Sequence, residues 1–372
     1  MRVHDAPGNA TVLPSVEPQL QLWNAMVRVQ QTDARNMRVC VTGATGFIGA
    51  ALVRRLLQAG VSVRALARPS ARADDLEARG VEVVRGDLND AEAVARAVEG
   101  AEVVYHTAAM VEGPGSAKEF IETNVGGTQH VFEACIRKGV RHIVHISSIA
   151  VYGLVREGER ISEGTPCDDS PEKRDSYAQS KIKADEYAVA ISWKTKLAVT
   201  ILRPGIVYGP GRPLPTALLG FRLDSRHVVF GRREQRFPLT YVENLVDAIE
   251  LVGRETNGGL RQYIVIDDEH LTLGEYHSVR EQVEKTRTLF LPGWLLLIGE
   301  IGREILVWFL TWGSTPDGVW RRQIRRGLQD RWYDTRRIRE ETGWAPKVPL
   351  RAAIEQTIRP ALPGRGDAAR RI

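Results

Sequence analysis

From Arg38 onward, short runs of Val, Ile and Ala alternate with longer stretches whose apolar residues recur every three or four positions. The runs predict strands at 38–42, 61–67, 81–85, 103–106, 141–146, 198–202 and 261–266. The periodic stretches predict helices at 47–59, 91–99, 125–138, 176–191 and 243–251, two of them stopped by Gly60 and Gly139. Strands alternating with helices specify βαβ units and a parallel sheet covered on both faces, which is why the strands are rich in Val and Ile. Beyond Pro210 the regularity weakens, and the second half is expected to form a smaller lobe interleaved with the first. The division expected is a loose extension over 1–36, a nucleotide-binding unit over 37–210, the lobe over 211–360 and a flexible basic tail over 361–372.

One stretch breaks the pattern. Residues 289–313 are rich in Leu, Ile, Trp and Phe but are interrupted by Pro292, Glu300, Arg303 and Glu304. That falls short of the ~20 apolar residues a membrane span needs. Two readings stand: a helical hairpin closing over a substrate or packing on the core, which is favoured, and a segment lying in a membrane surface with Trp294, Trp308 and Trp312 at headgroup depth.

Composition narrows the class. The 372 residues are 43% hydrophobic and 26% charged, the balance of a globular protein with a well-buried core. Cys40, Cys135 and Cys167 are far apart, so neither a disulfide framework nor a zinc site is expected, and reduced thiols in a cytoplasmic setting fit best. The net charge of +5 is uneven: residues 313–372 hold 14 Lys+Arg against 7 Asp+Glu, leaving about −2 for the rest. The arginines of this region alternate with Asp330, Asp334, Glu340 and Glu341, so no nucleic-acid partner is expected. No positively charged start followed by an apolar run precedes residue 37, and Met37 is a second candidate start.

The chemistry sits in two motifs. Val41-Thr42-Gly43-Ala44-Thr45-Gly46-Phe47-Ile48-Gly49 follows a strand and opens a helix. Gly43 permits the tight turn, Gly46 lets the backbone approach a pyrophosphate, and Gly49 lets the helix pack on the sheet. Tyr177-Ala178-Gln179-Ser180-Lys181 places a phenol and an ammonium one turn apart on one helix face. A free phenol has a pKa near 10. A fixed cation beside it favours the phenolate needed for proton transfer during hydride chemistry. The second strand ends Ala67-Arg68-Pro69-Ser70 without an acid, so Arg68, with Arg72 as a second candidate, favours NADP(H) over NAD(H). Asp87 and Leu88 stand where an adenine edge would be read. His106, His142 and His145, on strands or their ends, are read as packing or backbone-linked residues, and no metal is expected.

Ordered along the chain, TGATGFIG, GDL at 86–88, HTAA at 106–109, NVGGTQHV at 124–131, SSIAVYG at 147–153, YAQSK, LRPGIVYGPG at 202–211, TYVENLVDAI at 240–249 and YDTRRIREETGW at 333–344 resemble an extended short-chain dehydrogenase/reductase of the NAD-dependent epimerase/dehydratase family. The similarity runs from about residue 37 to about 358. The resemblance implies a Rossmann-type doubly wound parallel sheet with a smaller C-terminal substrate lobe. It implies Tyr177 as general acid/base, Lys181 bonding the nicotinamide ribose, and Ser148, in preference to Ser147, as donor to the substrate oxygen. It further implies Asn124 ordering the site, Thr45, Phe47, Ile48, Thr107, Ala108 and Ala109 lining the cofactor, and Pro204 and Gly205 presenting backbone to the nicotinamide amide. A homodimer through the helices following Asn124 and carrying Tyr177 is a further expectation.

Within the family, sugar-nucleotide 4,6-dehydratases carry an Asp-Glu pair just after the serine or threonine; here Ile149 and Ala150 occupy those positions and neither can move a proton. The chain resembles the 3β-hydroxysteroid dehydrogenase and dihydroflavonol reductase branch, which implies a hydrophobic hydroxyl or keto substrate. A nucleotide-sugar epimerase is the alternative, with Arg212, Arg222 and Arg232 as candidates for a diphosphate. A non-catalytic cofactor-binding protein is the third reading, disfavoured by the presence of both Tyr177 and Lys181.

Overall fold

The computed structural model describes residues 37–358 apart from 72, 112–115, 154, 157, 215–219, 224–225, 256–257, 300, 303–323 and 326. The expected extension, the tail, Arg72, and the Trp308 and Trp312 end of the apolar stretch lie outside the described residues.

Seven parallel strands form the main sheet: β1 (Arg38–Thr42), β2 (Ser62–Ala67), β3 (Glu82–Arg85), β4 (Val103–His106), β5 (His142–Ile146), β6 (Ala198–Pro204) and, far along the chain, β11 (Leu260–Val265). Their order is β3-β2-β1-β4-β5-β6-β11. The direction of winding therefore reverses between β1 and β4, and the crevice outside the carboxyl ends of those strands is where such sheets bind ligands. Helices α1 (Phe47–Gln58) and α5 (Val242–Gly253) pack one face through Leu52, Leu56, Leu245 and Ile249. Helices α2 (Ala91–Val98) and α3 (Gly127–Arg137) cover the other with Val94, Val98, Val131 and Phe132, joined there by Ala188 of α4 (Ser176–Lys194). Both faces are thus sealed by apolar side chains, and all four residues of β4 and all five of β5 are buried. The β11 strand and α5 come from the second half of the chain.

Between these lie β7 (Ile206–Tyr208) and β10 (Leu239–Tyr241), which pair with each other, and β8 (Phe221–Leu223) and β9 (Arg226–Phe230). Helix α6 (Leu273–Glu284) begins with a capping box, Thr272 receiving the Glu275 amide while the Glu275 carboxylate returns to the Thr272 amide. It leads to β12 (Arg287–Leu291), which pairs in parallel with β9 to complete a three-stranded sheet. The structure here departs from the helical hairpin expected over 289–313: the stretch opens as a strand, because Arg287–Leu291 alternates exposed and half-buried positions in register with β9. Helical turns follow at 294–299 and 301–302. Among the described residues no helix is long and apolar enough to cross a membrane.

The helix expected at 125–138 starts differently as well. A π-helical turn over Glu122–Gly126 precedes α3 and delivers Asn124 to the interior. The cysteines are free; Cys40 and Cys135 are buried in the sheet-helix layer, and burial pushes the Cys40 thiol up to about 12, far from thiolate reactivity.

Candidate active site

Strand β1 runs into a left-handed turn at Gly43, φ 72°. A Cβ there would lie 2.7 Å from the backbone of Ala108, and one on Gly49 would lie 2.1 Å from the Gly43 carbonyl oxygen. Both contacts are shorter than a real Cβ tolerates, so the two glycines are required by the close crossing of turn and helix. Gly46 is looser: its amide closes the turn on Gly43 O at 2.9 Å, and a Cβ there would lie 3.1 Å from the same oxygen. As N-cap of α1 it provides no side-chain hydrogen bond, and the first turn holds no acidic residue. The helix therefore keeps free N–H groups and an uncompensated positive end at an exposed glycine. The donor set fits a pyrophosphate. Thr45 is exposed, Phe47 and Ile48 half-buried, and the Arg212 guanidinium stands 5.9 Å from the Phe47 ring centroid.

The neighbouring strand ends complete the rim. Thr107 ties β4 to β1 by donating to Thr42 O at 2.7 Å, and Ala108 follows with its amide on the Thr42 hydroxyl at 3.4 Å; Ala109 is half-buried beside them. Past β3, Asp87 accepts the Asn89 amide at 3.1 Å, and Leu88 is buried against Gly127 with its carbonyl accepting from His130 at 2.8 Å. Arg68 is exposed at the end of β2. Arg64 points away, donating to Arg96 O and Glu99 O and pairing with Glu82.

Pro204 and Gly205 lie at the carboxyl end of β6. The Gly205 amide donates to Val265 O and to the Thr240 hydroxyl, each at 3.0 Å, and Pro204 continues the β6–β11 ladder. No N–H at these two positions is left to read a nicotinamide amide: Pro204 has none, and that of Gly205 is used to join β6 to β11 and β10.

Helix α4 begins at Asp175, whose carboxylate caps the Ala178 amide at 2.9 Å. This cap, of a kind worth about 1 kcal/mol, sets Tyr177 in the first turn and Lys181 one turn deeper. The backbone opposite is braced by Arg174, which is buried and donates to Ala150 O at 2.7 Å, Tyr152 O at 3.2 Å and Asp168 at 2.6 Å. That brace fixes the short 3₁₀ turn Ile149–Val151 and with it Ser148, whose side chain caps the turn through the Ala150 amide at 3.1 Å. Tyr177 is half-buried; loss of solvent raises its hydroxyl above the ordinary phenol value, opposed by Ser148 and by the charge of Arg212.

Lys181 is buried at 2% exposure, its ammonium donating to Ile146 O at the end of β5 at 2.7 Å. Burial lowers its pKa to about 8, and Asp185, one turn further along α4, works in the opposite direction. Asp185 stands in a buried charged group beneath the site. Its Oδ2 accepts from Arg203 Nε at 3.0 Å, and Oδ1 lies 3.5 Å from His145 Nε2. Arg203 reaches on to the Tyr152 hydroxyl at 2.9 Å. Burial raises the Asp185 carboxyl, but Arg203 and His145 outweigh it and hold it down at about 2. Ser147, the neighbour of Ser148, faces this floor rather than the cleft and also helps to lower Asp185.

The three histidines belong to this interior. His106 bridges the Thr42 and Thr128 hydroxyls at 2.8 and 3.0 Å and stacks on His145 at 5.2 Å. His142 meets Thr200 at 2.9 Å. All three are buried packing residues, as expected, and desolvation lowers all three pKa values, to about 4 for His142. Asn124 uses its whole carboxamide: Oδ1 accepts from Met110 N at 2.7 Å, and Nδ2 donates to Met110 O at 2.9 Å and Ser180 Oγ at 2.8 Å. It ties the strand exit after β4 to α4 at Ser180, next to Lys181. Among the described residues no cluster of three or more His, Cys, Asp or Glu can hold a metal ion.

Sequence reasoning overlooked Asp185, Arg203 and Arg174. The spacing Lys181 to Asp185 was available as a signal, since residues four apart share a helix face; Arg203 and Arg174 had none, because their partners are supplied by other elements.

Known proteins resemble this chain in sequence and fold. The chain is 34% identical over 245 residues to sterol demethylase protein B of Methylococcus capsulatus (64% of this chain, 72% of the relative). It is 32% identical over 255 residues to a 3 beta-hydroxysteroid dehydrogenase/Delta 5→4-isomerase of Mycobacterium tuberculosis (64% and 67%). It is 30% identical over 248 residues to a 2-alkyl-3-oxoalkanoate reductase of Shewanella oneidensis, of which it spans 63% of the length. Among solved structures, that of gox2253 superposes with a TM-score of 0.73 at 25% identity, covering 87% of this chain and 97% of that one. A UDP-glucose 4-epimerase of Thermotoga maritima shares the fold, with a TM-score of 0.66 at 20% identity over 87% of this chain and 98% of that one. The model of one enzyme family matches residues 39–266, more than half of the chain, and the protein belongs to that family, the NAD dependent epimerase/dehydratase family.

Proposed function

We propose that this enzyme is an NAD(P)-dependent oxidoreductase acting on a hydroxyl or keto carbon of a hydrophobic substrate through Ser148, Tyr177 and Lys181. The observation that carries the reading is Lys181, buried one helical turn below Tyr177 with its ammonium on Ile146 O at the carboxyl edge of the sheet, and Ser148 at the head of the short turn after the same strand. A dinucleotide held by its pyrophosphate at the glycine turn would supply or accept the hydride through its nicotinamide. Ser148 then donates a hydrogen bond to the substrate oxygen, and Tyr177 gives that oxygen a proton in reduction or removes one in oxidation. The Lys181 ammonium supplies fixed positive charge below, and the Asp185–Arg203 group keeps the floor dry and charged. Ile149 and Ala150 leave no acid beside Ser148 for a dehydration. The named activities of the sterol, hydroxysteroid and oxoalkanoate relatives support a hydrophobic alcohol or ketone. Arg68, exposed at the β2 end where an acid would select NAD, supports a preference for NADP(H).

One observation favours the epimerase reading. Arg212 stands over Phe47 and its charge acts on Tyr177, so a cation lies at the mouth of the cleft, where a diphosphate-linked sugar would need one. The test is NADPH consumption across a panel of steroid-like and long-chain ketones and sugar nucleotides, with Tyr177→Phe alongside. Consumption with a lipophilic ketone, lost by at least ~10²-fold in the variant while cofactor still binds, is the expected result. Isomerisation of a sugar nucleotide with no net consumption would establish the epimerase instead, and an unchanged rate in Tyr177→Phe would remove the mechanism.

A further inference from the structure

The β8-β9-β12 sheet has two unlike faces. Register places Phe221, Val228 and Leu289 in one cross-strand row and Leu223, Arg226 and Arg287 in the next, all on the same side. The opposite side is internal: Val229 joins the core, His227 pairs with Glu284 of α6 at 2.8 Å, and Phe290 packs edge-on against His277. On the outer side the central Val228 is buried beneath its neighbours, while Leu223 is 62% exposed and Phe221 and Leu289 are nearly half exposed. The chain leaves β12 through Pro292 and Gly293 into helical turns whose inner side faces Leu328. Their outer side carries Trp294, Ile298 and Ile301, spaced four and three apart, with Trp294 at 56% and Ile298 at 57% exposure.

Two continuous elements thus present large apolar side chains to water, and cations border them. Arg226 and Arg287 are direct cross-strand neighbours, both exposed, and among the described residues neither is placed in an ion pair. Lys285, exposed and two residues before Arg287, adds a third charge. Like charges directly opposite on one sheet face are destabilising unless an anion joins them. A protein interface selects against such a cluster at its centre, and a two-fold copy would bring the same cations against themselves. An anionic bilayer surface satisfies both parts: aliphatic and aromatic side chains enter the headgroup region, and the cations stay among lipid phosphates.

We propose that the outer face of the β8-β9-β12 sheet, with Trp294, Ile298 and Ile301, docks this enzyme on an anionic membrane surface. The test is co-sedimentation of the full chain with phosphatidylcholine vesicles containing or lacking phosphatidylglycerol. Binding is expected to the anionic vesicles and to fall with added salt. Arg226→Gln combined with Arg287→Gln should weaken it about 25-fold, roughly fivefold per charge. Trp294→Ser combined with Ile298→Ser should abolish it, while a cooperative melt shows that both variants are folded. Absence of binding, or binding equal in wild type and variants, overturns the proposal. So does a dimer by light scattering that the Trp294→Ser/Ile298→Ser variant disperses while vesicles are not bound, since a second copy would then be what covers the face.

Discussion

Asp185→Asn is a near-isosteric change that removes one charge from the centre of the buried group. Two buried cations depend on that charge. Arg203, 2% exposed, is held at 3.0 Å, and Lys181, also 2% exposed, is kept protonated by it. Taking the anion away leaves both without compensation in a medium that hydrates neither, and breaking a buried pair from one side costs about 3–5 kcal/mol. Protonating the same carboxylate is a different perturbation with a smaller cost. Its pKa is lowered from 3.8 to about 2, which corresponds to roughly 2 kcal/mol. Because the folded value is the lower one, that contribution is complete above about pH 4 and is lost as pH falls through about 2. Substitution should therefore cost more at neutral pH than acid does.

Urea unfolding at neutral pH measures the first quantity, and Asp185→Leu combined with Arg203→Met supplies the control. Removing both charges at once should recover much of the loss, since apolar replacement of a buried pair is often close to neutral. Activity gives an independent readout. Lys181 already titrates at about 8, and without Asp185 it falls further, so the alkaline limb of the rate profile should move to lower pH. A loss below about 1 kcal/mol in Asp185→Asn, a double variant no better than the single one, or an unmoved alkaline limb would each refute the argument.

Gly49→Ala places a methyl 2.1 Å from a backbone oxygen that has no room to yield; the strain, about 1–3 kcal/mol, should appear in calorimetry as weakened cofactor binding. Arg68→Gln should weaken NADPH by roughly ten- to a hundredfold and leave NADH unchanged, as the loss of one charge-assisted contact requires, and equal effects on both cofactors would remove the assignment. Asp267, at the end of β11, accepts the Tyr241 amide at 2.8 Å, yet burial raises its carboxyl to about 7. The folded state then holds the proton more tightly than the unfolded one, so stability falls as pH rises from about 4 to about 7, by at most about 4 kcal/mol. Thermal melts of Asp267→Asn across that window should lack this slope.

The sheet was legible because its signals are local. Each strand of β1 to β6 and β11 is an apolar run of ordinary length, and each helix ends near a glycine or carries its own period, so the elements fall within a few residues of those expected. The lobe was not. β8 is three residues long and exposed throughout, β9 is buried at three consecutive positions and so shows no alternation, and β12 lies inside a stretch so rich in Leu that its alternation is masked; only pairing with β9 makes it a strand. Asn124 was legible by position, but the π-helical turn that buries it depends on Met110 and Ser180, contributed from 14 and 56 residues away.

The same division runs through the site itself. Tyr177, Lys181 and the three glycines act through neighbours in sequence, so spacing reveals them. What holds Lys181 is assembled from three separate elements: Ile146 and His145 from β5, Asp185 from α4 and Arg203 from β6. A lysine on a helix surface keeps its charge through water. Here water is excluded, and the charge persists only because the fold brings an anion within one turn and anchors that anion on an arginine from another strand. Tyr-x-x-x-Lys becomes a proton-transfer pair only above such a floor. A chain that retained the motif but carried an apolar residue at position 185 should bind cofactor with the same glycine turn, yet work only at a pH low enough to keep Lys181 protonated.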